Sequence, residues 1–181
     1  MSMTLATILF GVLLLCKGAG MFMFRSADAL AKGKALLRNR KLDTVLHLVA
    51  SAWFLYVVSQ LGQADFGDYK AFLFIGFLAV CVGAWFYVPD FLGVRALSAI
   101  YMLAAWWFLG AAFGHYDTPA RLFMVTPVYI GLVFALYFAA APYRVRDLME
   151  WFAERPLAQK IFGTTFCAYG TWLLLVPALF Y

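Results

Sequence analysis

Three ionisable side chains fall inside or at the edge of long apolar stretches, and they are the residues best suited to chemistry. Lys17 interrupts the first stretch, and Asp43 and His47 lie one helical turn apart at the start of the second. Placing an ionisable group within a membrane span is costly, so each such residue is a candidate for function. An ammonium, an imidazole and a carboxylate together would suit an ion site or a proton relay.

Helical rise gives the depth of these side chains. Lys17 precedes Arg25 by eight residues, which is about 12 Å along a helix, and His47 lies about 6 Å beyond Asp43. One hypothesis is therefore a Lys17–His47–Asp43 cluster between the first two spans. The alternative is structural: Lys17 extends its amine to the lipid headgroups, and His47 bonds a neighbouring backbone group or hydroxyl. Both hypotheses stay open on the sequence.

Other kinds of site find little support. His47 and His115 fall at opposite ends of their spans, so a haem bridged by both is not expected. The three cysteines form no C-x-x-C pair and are interpreted as free thiols. We expect no metal site and no catalytic residue, because nucleophile elbows, metal-binding helices and phosphate loops are missing from the sequence. No cofactor is evident; the 19% aromatic content would suit bound lipid, quinone or pigment, but no pattern specifies one.

The elements that position these residues are predicted from composition. Hydrophobic residues make up 66% of the 181 and charged residues 13%, and mean hydropathy is +0.86, whereas a soluble domain carries roughly 25% charged residues. A span needs about 20 apolar residues. Six stretches qualify, the first interpreted as a retained helix and not a cleaved signal: Thr4–Phe24, Asp43–Leu61, Ala71–Val88, Leu92–Gly114, Pro119–Ala141 and Ile161–Leu179. The prediction is an all-α membrane bundle forming one domain over residues 1–181.

Basic residues predict the orientation of the bundle. Of the 14, eleven fall in the first, third and fifth loops, and only Lys70 and Arg121 fall in the second and fourth. The positive-inside rule then puts the basic loops in the cytoplasm and both termini outside, most simply in a bacterial inner (plasma) membrane. The net charge of +5 follows from this topology, and no nucleic-acid partner is needed to explain it. The long loops, 26–42 and 142–160, are predicted to form amphipathic helices.

A spacing recurs three times along the chain. A basic residue precedes a tryptophan by twelve positions in the pairs Lys41 and Trp53, Arg95 and Trp107, and Lys160 and Trp172. One interpretation is that these six residues are membrane-interface anchors. The other is that the chain contains three hairpins repeated in parallel.

Glycine and proline positions predict features of the helix packing. We expect glycines to permit close helix approach at positions 18, 20, 76, 83, 110 and 131. Pro127 falls inside the fifth span, and we expect a polar neighbour such as Thr126 to bond the carbonyl that this proline frees.

Three function classes follow. The first is a non-catalytic accessory, scaffold or assembly subunit of a larger membrane complex, with the bilayer and other membrane subunits as partners. The second is a small-solute transporter or channel with Lys17 and His47 near the pathway. The third is a membrane enzyme or redox protein whose site would lie on the cytoplasmic face, with Asp28, Asp43, His47, Asp147 and Glu150.

Overall fold

A computed structural model describes residues 2–23, 27–88 and 90–181 of the chain. Within these residues the protein is built from helices without strands, as predicted. The α-helices are α1 (Met3–Met23), α2 (Ala27–Leu36), α3 (Arg40–Ser59), α4 (Lys70–Tyr87), α5 (Leu92–Ala112), α6 (Leu122–Ala140), α7 (Tyr143–Glu154) and α8 (Pro156–Phe180).

Six of these helices, all except α2 and α7, are long and apolar enough to cross a membrane. Their outer surfaces carry large apolar side chains that a soluble protein would bury. Phe72, Ile75 and Val133 are 77%, 67% and 66% exposed. Contiguous apolar exposure on this scale is compatible with lipid and not with water. The protein is therefore a multi-pass integral membrane protein.

The observed helix bounds differ from the predicted ones where caps decide them. The second span begins at Arg40, because the Asn39 side chain accepts hydrogen bonds from the backbone N–H groups of Lys41 (3.1 Å) and Leu42 (3.4 Å). The last span begins at Pro156, five residues earlier than predicted, with proline in the first turn where its missing N–H costs nothing. The predicted end of the first span, Phe24, lies outside the described residues.

The spans form three antiparallel pairs: α3 with α4, α5 with α6, and α1 with α8. Helix α5 joins the pairs, because it also packs against α3 and α1. Two of these pairs are hairpins of consecutive spans, whereas the third joins the first and last spans. Whether the hairpins are repeats of one ancestral unit stays a prediction.

Glycines bring α1 and α8 into close contact along a seam. Gly11 lies against Gly170, and Gly18 against Gly163 and Cys167. A Cβ at Gly18 would lie 2.8 Å from the Gly163 carbonyl oxygen, and one at Gly170 would lie 2.8 Å from that of Gly11. The two glycines on each helix are seven residues apart, which keeps them on one face of two helices that cross at a shallow angle.

Polar groups complete this seam at both ends. Near one end Thr7 is fully buried, its hydroxyl 2.9 Å from the Met3 carbonyl and 3.3 Å from the Tyr181 hydroxyl. At the other end the Gln159 side chain donates a 2.7 Å hydrogen bond to the Met21 carbonyl near the end of α1. We call the end that carries α2, α7 and the start of α5 the basic end.

Candidate functional site

Lys17 lies on the exposed side of α1. Its Nζ is 5.1 Å from the centre of the Phe166 ring on α8, which is a cation–π distance. Among the described residues no salt bridge reaches Lys17. The Lys17 amine therefore contacts the face of an aromatic ring and not a carboxylate of the described residues.

Asp43 has a role that the sequence interpretation missed. Its carboxylate accepts a hydrogen bond from the backbone N–H of Gly93, in the first turn of α5. The residue before α5, Phe91, supplies no side-chain cap. Asp43 thus caps a neighbouring helix. A Cβ at position 93 would overlap the Asp43 carboxylate oxygen Oδ1, so a larger residue there would displace this carboxylate.

His47 joins α3 to α4. Its Nε2 lies 2.9 Å from the Cys81 carbonyl oxygen and 3.5 Å from the Ser51 hydroxyl, and its ring is 5.8 Å from that of Trp85. Because a carbonyl can only accept, Nε2 carries the proton that is donated to Cys81. The ring therefore bonds a neighbouring backbone group, as the structural alternative expected.

The three candidates are not brought together. Each has its own partner: Lys17 on α8, Asp43 on α5 and His47 on α4. Among the described residues, no group of three or more His, Cys, Asp or Glu side chains lies close enough to hold a metal ion. His115 is exposed beyond the end of α5, with Nδ1 3.3 Å from the Phe113 carbonyl oxygen.

The six predicted anchors occupy comparable positions along their helices. Lys41, Arg95 and Lys160 fall within the first five residues of α3, α5 and α8. Two of the tryptophans contact each other, since the Trp53 and Trp107 rings meet edge to face at 5.6 Å. Trp172 instead meets the ring of Phe123 at 5.6 Å. Anchoring at the membrane interface stays a prediction for all six.

Helix α4 differs from the other spans because no residue of its apolar window is buried. It touches the bundle through one face: Phe77 meets Phe54 at 5.0 Å, and the backbone at Cys81 meets His47. Gly76 and Gly83 lie roughly 150° around the helix from that face, and a Cβ at either would meet nothing within 4 Å. We call the side of α4 that carries these glycines its outer face.

The outer face of α4 repeats the pattern of the α1–α8 seam. Gly76 and Gly83 are seven residues apart, like Gly11 and Gly18 and like Gly163 and Gly170. The α4 pair differs from the pairs on α1 and α8 in that no other helix lies within 4 Å of the added Cβ atoms. Among the six glycines singled out from the sequence, Gly18 and Gly131 lie in close helix contacts, whereas those at 20, 76, 83 and 110 are open.

Comparisons with protein-family profiles, with curated proteins and with solved structures each find no match to this chain. Function is therefore inferred from side chains and helix geometry alone.

Proposed function

We propose that the protein is a non-catalytic accessory or scaffold subunit that binds another membrane protein through the outer face of α4. The observation that carries the proposal is the open Gly76–Gly83 pair on a span with no buried residue. Small residues let helix backbones approach closely, and in lipid this close packing is a main source of helix association. The α1–α8 seam demonstrates the same spacing in use within this chain.

The antiparallel arrangement of the two helices in the seam favours a different chain as the partner. Helices α1 and α8 run antiparallel where their paired glycines meet. Two copies of this protein inserted in one orientation, related by an axis along the membrane normal, would place their α4 helices parallel. A helix that reproduces the seam geometry on α4 must run the opposite way. We therefore assign the outer face to a small-residue span of another protein.

Transport is the weaker alternative. A pathway past Lys17 and His47 would need these side chains to face a common space. Lys17 lies against α8, and His47 is engaged by α4. The acids proposed for an enzyme at the basic end are likewise paired with bases: Asp147 with Arg146 at 3.2 Å and Glu150 with Lys34 at 2.7 Å.

The test uses purified tagged protein in mild detergent. Native mass is measured and co-purifying chains are identified for the wild type, for Gly76→Leu/Gly83→Leu and for the control Gly20→Leu/Gly110→Leu. A Cβ added at any of the four glycines would meet nothing within 4 Å, so the two double variants are matched in the space around the substituted positions. We expect a stoichiometric partner that the α4 variant loses and the control retains.

A photo-crosslinker at Val80, which is exposed beside the glycines, should capture the same partner. A monomer of 20.3 kDa in every sample would contradict the proposal. If the wild type formed a homo-oligomer that the α4 variant could not form, the partner on the outer face would be a second copy of this protein.

A further inference from the structure

A groove opens at the basic end between α2 and α7. It has a volume of about 350 Å³ and is lined by Lys34, Ala35, Leu37, Arg38, Phe91, Arg146 and Glu150. Volumes of about 300–1,000 Å³ are usual for small-molecule sites. The two helices that form its walls are in close contact, because the Met149 side chain occupies the space above Gly33. The groove is thus built by packed elements and lies where the spans end.

The groove carries excess positive charge. Three of its lining residues, Lys34, Arg38 and Arg146, are basic, and only Glu150 is acidic. Glu150 is already paired with Lys34 at 2.7 Å, and Arg146 contacts Asp147 through Nη2 at 3.2 Å. Among the described residues no carboxylate pairs with Arg38. An anion entering the groove would therefore meet a guanidinium that has no counter-charge within the described part of the chain.

Unsatisfied donors occur at the same end of the bundle. The Nε atoms of Arg146 and Arg95 are buried and find no hydrogen-bond partner among the described residues. Arg146 lines the groove, and Arg95 follows the lining residue Phe91 by four positions. A buried N–H without an acceptor is unfavourable, so such a group favours binding of an acceptor-rich ligand.

We propose that this groove binds a phosphate group through Arg38 and Arg146. A guanidinium binds two phosphate oxygens at once, and the remaining oxygens can accept from a second cation. Two ligands could supply this phosphate group: the headgroup of an anionic phospholipid, or free phosphate. The apolar residues Leu37 and Phe91 beside the cations suit a headgroup with acyl chains, as basic pockets at helix ends commonly do.

The test compares thermal unfolding of the purified protein in neutral detergent alone, with phosphatidylglycerol, with phosphatidylcholine and with inorganic phosphate. The groove variant is Arg38→Gln/Arg146→Gln. The control, Lys32→Gln/Arg155→Gln, removes the same charge from α2 and from the residue that follows α7, and neither residue lines the groove. We expect saturable stabilisation by phosphatidylglycerol but not phosphatidylcholine, and binding more than about tenfold weaker in the groove variant only.

Stabilisation by inorganic phosphate at similar concentration, lost in the groove variant, would identify free phosphate as the source. If both double variants lost the ligand-induced stabilisation equally, the attraction would be a diffuse effect of charge, and the proposed site would be wrong. The site would also be wrong if neither phosphatidylglycerol nor inorganic phosphate stabilised the protein. Arg38→Gln alone keeps the test valid if the double variant misfolds, because the Arg38 side chain makes no ion pair within the described chain.

Discussion

The hydroxyl of Tyr169 on α8 donates a 2.8 Å hydrogen bond to the carbonyl oxygen of Phe123 on α6. Phe123 is the residue four positions before Pro127, so its carbonyl is the one that the proline leaves without a helical donor. On another side of α6, the Tyr101 hydroxyl donates to the Val128 carbonyl at 3.2 Å. The freed carbonyl is therefore satisfied from a neighbouring helix, and not by Thr126 as the sequence suggested.

We predict that Tyr169→Phe lowers the free energy of unfolding by about 1 kcal/mol, because it leaves the Phe123 carbonyl unpaired in an apolar region. The measurement is a double-mutant cycle with Pro127→Ala, which restores the helical donor to that carbonyl. In the Pro127→Ala background the Tyr169→Phe substitution should cost much less. An equal cost in both backgrounds would contradict this pairing.

The α1–α8 seam predicts a contrast between glycines. Gly18→Ala should destabilise by about 1–3 kcal/mol, because the added Cβ would lie 2.6 Å from the Cys167 Sγ and 2.8 Å from the Gly163 carbonyl oxygen. At Gly110 an added Cβ would meet nothing within 4 Å. Gly110→Ala should therefore leave the stability unchanged or raise it by about 0.5 kcal/mol. Equilibrium unfolding in detergent distinguishes the two, and equal effects would rule out a close seam.

Asp43 should behave as a cap for α5. Asp43→Ala removes the acceptor for the Gly93 N–H and should cost about 1 kcal/mol of stability. Asp43→Asn retains an acceptor oxygen, so it should be close to wild type in the same unfolding experiment. If Asn is as damaging as Ala, the negative charge matters and the ion-site hypothesis regains support.

Lys17→Met should leave stability unchanged or raise it slightly. The substitution removes a cation–π contact worth about 0.5–1 kcal/mol, but it also removes an ionisable group from the span. Unfolding and association with the α4 partner are the two readouts. If Lys17→Met abolished transport of a solute while the protein still folded, the transporter alternative would be favoured.

Sidedness can be tested by labelling. In a variant lacking Cys16, Cys81 and Cys167, Lys32→Cys at the basic end should react with an impermeant maleimide only after the membrane is opened. Asp65→Cys, between α3 and α4, should react on intact cells. Both side chains are exposed in the structure. The reverse pattern would invert the predicted topology.

Hydropathy was sufficient to predict the six spans, and the two long loops predicted to be helical contain α2 and α7. Helical rise also gives depth, so Lys17 and His47 could be placed along their helices. It does not give the direction in which a side chain points around the bundle. For that reason Asp43 and His47 share an end but face α5 and α4, while Lys17 contacts α8.

The glycine spacing illustrates the same limit. A seven-residue interval was present in the sequence at Gly11 and Gly18, at Gly163 and Gly170, and at Gly76 and Gly83. This interval marks all three pairs as candidates for close helix contact. Spacing alone cannot tell a covered pair from an open one, because which helix lies opposite is decided by tertiary packing. The same reason hid the trans-cap that Asp43 supplies to Gly93.

The pairing of α1 with α8 has a consequence for the order of events during biosynthesis. Helix α1 precedes every other span as the chain leaves the ribosome, and α8 follows them all. The glycine face of α1 therefore lies exposed to lipid in the bilayer until α8 is inserted. A nascent chain that stops before residue 156 leaves this face without the helix that covers it.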